Sequence, residues 1–357
     1  MSSHSDDVQA PYEWIKSWGV GDELISDENY GEEEMSGIKD PKMPTMDKKV
    51  IIEAAITGWQ PIHWWRDRGV ETLPPGSQPG PTCIPEQVDA IKECVEAGAA
   101  CIHMHPRHPD DGKARLHDTR LTAEIMDRAY DVVEDYIPTG HSFTQDFRKG
   151  IAWDFITPTR EFLELGKGNK YVQTSLAISL PTFTERHGIT TNEALVEAVE
   201  FFEANDIRPN YSVEPFYFSE MKRLLFDTGI AKTRPYLIEL QFGKHRDDMQ
   251  FVDPWSFINV LTSMQMVRDS LPADELFLGI HPGGRNWLPT TVVSFVNGAQ
   301  LVRVGIEDLF WLWPHRDDIP QTVSHTVKMI VDLCKVLGRE VATPAEAREI
   351  MNVHRTS

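Results

Sequence analysis

From residue 49 onward, short apolar runs alternate with longer stretches whose apolar positions recur every three to four residues. The runs are VIIEAAIT (50–57), AACIHMH (99–105), YIPTGH (136–141), KYVQTSLA (170–177), IRPNYSV (207–213), RPYLIELQF (234–242), LFLGIH (276–281) and AQLVRVGI (299–306). The stretches between them predict helices over 85–98, 119–136, 191–205, 254–271, 289–299 and 321–338. The first opens on Pro85 and acidic residues and stops at Gly98, as helix boundaries require. Eight strand runs in alternation with amphipathic helices predict an α/β fold, a (β/α)8 TIM barrel of parallel strands. An open doubly wound sheet would carry a Gly-rich phosphate loop after its first strand, and ITGWQP is no such loop.

The acidic stretch before this rhythm changes the domain picture. Residues 1–48 hold twelve Asp or Glu against four Lys and show no periodicity. They read as an N-terminal extension or arm, with Trp14 and Trp18 to anchor it, ahead of a barrel domain over 49–357. The whole chain of 357 residues has a formal net charge of −20, which disfavours nucleic acid as a partner. Cys83, Cys94, Cys101 and Cys334 lack CxxC spacing and read as reduced thiols. With no secretory leader pattern and no run of 18 apolar residues, the expectation is a cytoplasmic protein without a membrane partner.

The candidate chemistry falls at the ends of the predicted strands. His103 and His105 are two apart at the end of the second, so both imidazoles face the same side. Glu307 and Asp308 follow the eighth, which a closed barrel places beside the first. Two imidazoles and one carboxylate with an open fourth position make the usual first shell of a catalytic zinc. Asp308 is then a candidate general base, with a helix N-cap as its plainer reading, and Arg303 a candidate cation for an anionic substrate group, with a salt bridge as its plainer reading. His141 and Thr174 end or lie in the third and fourth strands and face the mouth. Arg285, in HPGGRNWLPT, combines a Gly pair, a cation and a helix start into an anion seat. The long connections 58–84 and 106–118 would wall the site.

IIEAAITG, EAGAACIHMHPR with the following DDGK, GGRNWLPT, RVGIEDLF and ATPAEAREIM, in this order, resemble the beta-keto acid cleavage enzymes over about residues 49–353. The resemblance implies a zinc ion on His103, His105 and Glu307, Asp308 as general base, keto acid contacts from Arg303 and Thr174, and a homotetramer. It also implies the reaction: a beta-keto acid and acetyl-CoA become acetoacetate and a new acyl-CoA by a retro-Claisen route. Two positions depart from the family pattern. Pro138-Thr139-Gly140-His141 lacks a serine credited with a part in acyl transfer, and Gln60 replaces a glutamate that meets a substrate amino group. Trp59, Trp64, Trp65 and EPFYFSEM (214–221) are bulkier than the pattern, which fits either a larger keto acid or core packing. The alternative activity is a zinc-dependent C–C lyase or hydrolase acting without CoA.

Overall fold

Eight parallel strands close into a barrel in chain order: β1 (Ile51–Ala55), β2 (Cys101–His103), β3 (Ile137–Thr139), β6 (Thr174–Ile178), β7 (Arg208–Val213), β8 (Tyr236–Phe242), β9 (Leu276–Pro282) and β10 (Leu301–Val304). Closure comes from β1, which pairs with β10 on one side and β2 on the other. This computed structural model describes residues 43–57, 83–110, 115, 118–140, 144–146, 151–178, 191–243, 256–309 and 311–356. Residues Thr45–Ser357 form one compact unit. The extension expected over 1–48 lies, through residue 42, outside the described residues. All eight predicted strands are present, seven of them shorter than their apolar runs and β9 one residue longer. Among the described residues no helix is long and apolar enough to cross a membrane, and all four cysteines are free thiols.

Helices α1 (Ile84–Ala97), α2 (Thr119–Tyr130), α4 (Asn192–Ala204), α6 (Ser256–Ser270), α7 (Trp287–Val296) and α8 (Val323–Val336) follow the predictions, between which α3 (Ile156–Phe162) and α5 (Phe218–Met221) add short turns. Gly98 ends α1 at φ +116°, a conformation L side chains avoid. Two differences have local causes. The helix expected over 119–136 stops at Tyr130, where Asp131–Glu134 turn the chain toward β3 and Asp135 is held by Arg348. Around α3, Pro158 masks the helical pattern, but Asp154 caps its start by accepting from Ile156 N and Thr157 N at 3.0 Å each. An antiparallel pair, β4 (Thr144–Asp146) and β5 (Ile151–Asp154), was not foreseen.

Period-two alternation sorts every strand into an outer and an inner face. Outward residues such as Ile52, Ala54, Ile102, Ile238, Leu278 and Val302 pack under the helices. Inward residues form layers. At the amino end Ile51, Cys101, Ile137, Leu237, Phe277 and Leu301 pack against Ala347, Met351 and Val353 of the C-terminal segment. That segment forms α9 (Pro344–Met351), capped by a reciprocal Thr343–Glu346 box. Arg348 ties it to Asp135 at 2.7 and 2.9 Å, and Arg208 Nε donates to Met351 O at 3.1 Å. ATPAEAREIM thus plugs the barrel floor, and each large apolar side chain so buried contributes about 1.5–3 kcal/mol. Above this layer the inward positions turn polar, and the site begins.

Candidate active site

The inward phase that gives Ile51 at the floor gives Glu53 next on β1, and the same phase gives His103, Thr139, Asn210, Glu239 and Arg303 around the barrel. Register places Glu53 opposite Arg303, and His103 opposite Thr139, which in turn faces Thr174. Gly279 shares this layer because a side chain would not fit: a Cβ there would lie 2.9 Å from Leu301 Cβ and 3.2 Å from Glu239 Cγ. One step higher come His105, Ser212, Gln241 and His281.

Glu307 and Asp308 enter from the turn after β10. Gly305 makes that turn at φ +149°, where a Cβ would fall 2.1 Å from Ala55 O. The close approach lets β10 lean on β1, and Asp308 N and Leu309 N then bond back to Gly305 O. Opposite, Thr57 fixes the His105 backbone: its hydroxyl donates to His105 O at 2.6 Å and accepts from His105 N at 3.1 Å. Buried Gln87 holds Arg107 the same way, by 3.0 and 3.3 Å bonds to its N–H and carbonyl.

These constraints bring the sequence-predicted ligands together. His103 Nε2 lies 3.3 Å from His105 Nε2 and 3.1 Å from Glu307 Oε2, and His105 Nε2 lies 3.5 Å from Glu307 Oε1. All three side chains are buried, and one donor atom from each falls within 4.8 Å of the others. A tetrahedral ion with bonds of roughly 2.0–2.1 Å separates its ligands by about 3.3 Å, so the spacing fits such an ion. Burial, followed by the Arg303 charge, holds the His103 ring well below its ordinary pKa, in the neutral form that ligates.

Arg303 stands among the carboxylates of the site. Its Nη2 lies 2.8 Å from Glu307 Oε1, its Nε donates to Asp308 Oδ2 at 2.8 Å, and Nη1 is 3.9 Å from Glu53 Oε1. Burial opposes its charge, but Asp308, Glu307, Glu53 and Glu239 together outweigh it and keep the guanidinium protonated. The salt-bridge reading of Arg303 therefore holds alongside any substrate role. Asp308 is buried, with Oδ1 3.0 Å from His281 Nε2, and does not cap a helix in this arrangement: it lies in a turn.

Two further acids line the interior. Burial pushes both Glu53 and Glu239 upward, Glu239 much further, because Glu53 beside it adds like-charge repulsion. Glu53 keeps its charge better, since Arg303 is near and Thr139 Oγ1 donates to it at 2.8 Å. Of the two, Glu239 is held further above the ordinary carboxylate range. Its contribution to stability is complete below the ordinary carboxylate range and is lost as pH rises through its elevated folded pKa. Glu239→Gln, neutral at every pH, should therefore gain on the metal-stripped wild type by at least about 1 kcal/mol between pH 5 and pH 7 in urea unfolding. Parallel stability curves would contradict this assignment.

The remaining predicted residues divide. Thr174 is buried, and its Oγ1 has no hydrogen-bond partner among the described residues, as a ligand-facing hydroxyl would. Arg285 lies three residues beyond β9 but is engaged by Asp317 at 2.7 Å and the Arg316 carbonyl at 2.6 Å, with its guanidinium over the Trp311 ring. Gln60, His141 and the three tryptophans of the first loop lie outside the described residues. In EPFYFSEM, Phe218 and Met221 join the outer core and Phe216 is 64% exposed, so core packing accounts for the buried members. Glu53, Ser212, Glu239, Gln241 and His281 were missed. Their signal was a polar residue interrupting an apolar strand in the phase set by His103 and His105.

A closed parallel barrel with an apolar floor, a polar upper interior and a three-residue ligand cluster at the carboxyl ends of its strands defines the class: a (β/α)8 barrel built for chemistry at that end. Residues 49–353 match the beta-keto acid cleavage enzyme family, and the chain belongs to it. Among relatives, it is 25% identical over 336 residues to the 3,5-dioxohexanoate:acetyl-CoA acetone transferase of Paraburkholderia graminis, covering 86% of this chain and 96% of that protein. It is 24% identical over 312 residues to the 3-keto-5-aminohexanoate cleavage enzyme of Acetoanaerobium sticklandii, covering 86% of this chain and all of the relative (100%). The structure of ObcA with a C4-CoA adduct and oxalate shares the fold, with a TM-score of 0.56 at 16% identity, over 76% of this chain and 67% of that one.

Proposed function

We propose that this enzyme converts a beta-keto acid and acetyl-CoA to acetoacetate and a new acyl-CoA, with a zinc ion on His103, His105 and Glu307. The observation that carries the reading is the ligand cluster spaced for a tetrahedral ion, with the buried carboxylate of Asp308 in the adjoining residue. The acetyl-CoA chemistry in the relative's name supports the cosubstrate. When bound, the ion supplies a Lewis acid that makes the CH₂ beside the keto carbonyl more acidic.

The protein's residues then have separate tasks. Arg303 and the unpartnered Thr174 hydroxyl bind the keto acid and hold its CH₂ against Asp308. Asp308 takes a proton from that carbon. The carbanion attacks the acetyl thioester and releases CoA thiolate, which attacks the former keto carbon. The C–C bond breaks toward acetoacetate, whose carbanion recovers a proton, leaving the acyl group on CoA. Gln60 and His141 contribute to the substrate pocket, and Arg285 can exchange Asp317 for an anionic group of the CoA thioester. A homotetrameric assembly completes the reading.

A CoA-independent cleavage is the second reading. It draws on β3, where Thr139 already donates to Glu53 and no serine stands beside it. A panel of beta-keto acids incubated with and without acetyl-CoA separates the two. Acyl-CoA formation only in its presence is expected; equal keto acid consumption in its absence would favour the second reading.

A further inference from the structure

The interior holds a chain of polar groups that runs from β8 through β7 and β9 to Asp308. Gln241 Nε2 lies 2.9 Å from Ser212 Oγ and 3.4 Å from Ser212 O. A backbone carbonyl only accepts, so the amide nitrogen of Gln241 faces Ser212, and one lone pair of the hydroxyl is occupied. Ser212 Oγ in turn lies 3.5 Å from His281 Nδ1. With its oxygen already accepting, the hydroxyl has its proton to give, and Nδ1 is the acceptor in reach. That choice leaves the ring proton on Nε2, the atom 3.0 Å from Asp308 Oδ1. All four side chains are buried: Ser212 6%, Gln241 5%, His281 1% and Asp308 9% exposed.

We infer that His281 is a positioning residue for Asp308, its tautomer fixed by the Gln241–Ser212 pair. The inference rests on the reading of Asp308 as the base. Gln241 and Ser212 direct their hydrogen bonds toward the imidazole, and His281 Nε2 stands 3.0 Å from Asp308 Oδ1, a close contact that a small turn of the ring converts to a hydrogen bond as substrate binds. Arg303 Nε donates to Oδ2 at 2.8 Å, and His281 Nε2 abuts Oδ1 at 3.0 Å. A carboxylate bonded at one oxygen and abutted at the other is restrained from rotating away from the substrate carbon, and proton transfer depends on that alignment. The resemblance to a nucleophilic triad is only in residue types: in this chain Ser212 Oγ is buried below the mouth and serves the imidazole rather than a substrate.

Two substitutions and one spectrum test this. His281→Leu removes the donor at similar volume and should lower kcat about 10²-fold, with KM for the keto acid within about twofold and bound metal unchanged. His281→Gln returns an N–H to the same region and should recover at least about tenfold of that loss. A purely structural role would show no such rescue. Exchange of the keto acid CH₂ into D₂O without acetyl-CoA should fall in parallel with kcat, because positioning acts on proton removal. Nitrogen-15 NMR of the His281 ring in the wild type should show the Nε2–H tautomer, with Ser212→Ala raising the Nδ1–H fraction. A His281→Leu enzyme within twofold of wild-type kcat, or an Nδ1–H tautomer in the wild type, overturns the inference. The tautomer is read on resting protein, so it decides the question even if His281→Leu fails to fold. Failure of the underlying reading shows separately, as wild-type protein that forms no acyl-CoA from any keto acid.

Discussion

Asp308→Asn should lower turnover by about 10²- to 10⁴-fold while leaving the bound metal intact. The amide presents one oxygen and one NH₂ where the carboxylate presents two acceptors. Arg303 Nε and His281 Nε2 face these two positions from 2.8 and 3.0 Å. In either orientation the amide turns an N–H toward one of them, and if both are donors they repel it. The variant thus loses the base and disturbs these contacts, but Glu307, His103 and His105 keep their donor atoms. Elemental analysis beside steady-state kinetics checks both halves. An Asp308→Asn enzyme within tenfold of wild type would remove Asp308 from the role of base.

The second large effect is at the ligands. His103→Ala and Glu307→Gln should each leave less than about a tenth of the wild-type metal after dialysis, and turnover should fall with it. Removing one of three protein ligands leaves two, and among the described residues no other group of metal-ligating side chains lies together; Glu53 Oε1 is 3.8 Å from His103 Nδ1, the ring nitrogen turned away from the cluster. Glu307→Gln has an added cost, because Arg303 Nη2 loses the carboxylate 2.8 Å away and the interior keeps a cation with one counter-charge fewer. The contrast with Asp308→Asn is the informative part. Neighbouring residues on one turn should separate into one that holds metal and one that does not. Full metal content in both ligand variants would show that the cluster is a hydrogen-bonded core feature.

Much of this was legible in the chain, for physical reasons. Strand runs such as LFLGIH and helices such as PEQVDAIKECVEAG carry strong periodicity, and barrel closure then forces the eighth strand beside the first. That one topological fact places Glu307 next to His103 and His105 across about 200 residues of sequence. The same logic applied strand by strand would have found Glu53, Ser212, Glu239, Gln241 and His281, since each sits in the inward phase of an apolar run. They were passed over because a single polar residue in a strand has no local motif. The role of α9 as barrel floor was illegible for another reason: its partners Ile51, Leu237 and Phe277 come together only after closure. Arg285 shows the limit of motif reading, since its Gly pair and helix start drew attention while its actual partner, Asp317, lies 32 residues away.

The central claim is acyl exchange between a keto acid and acetyl-CoA, and carbonyl-labelled [1-¹³C]acetyl-CoA tests it in a single NMR experiment. The route above joins the acetyl carbonyl to the keto acid's CH₂, so acetoacetate should carry the label at C3 and the new acyl-CoA should carry none. Label found in the acyl-CoA, or unlabelled products formed at the same rate without acetyl-CoA, would contradict the account.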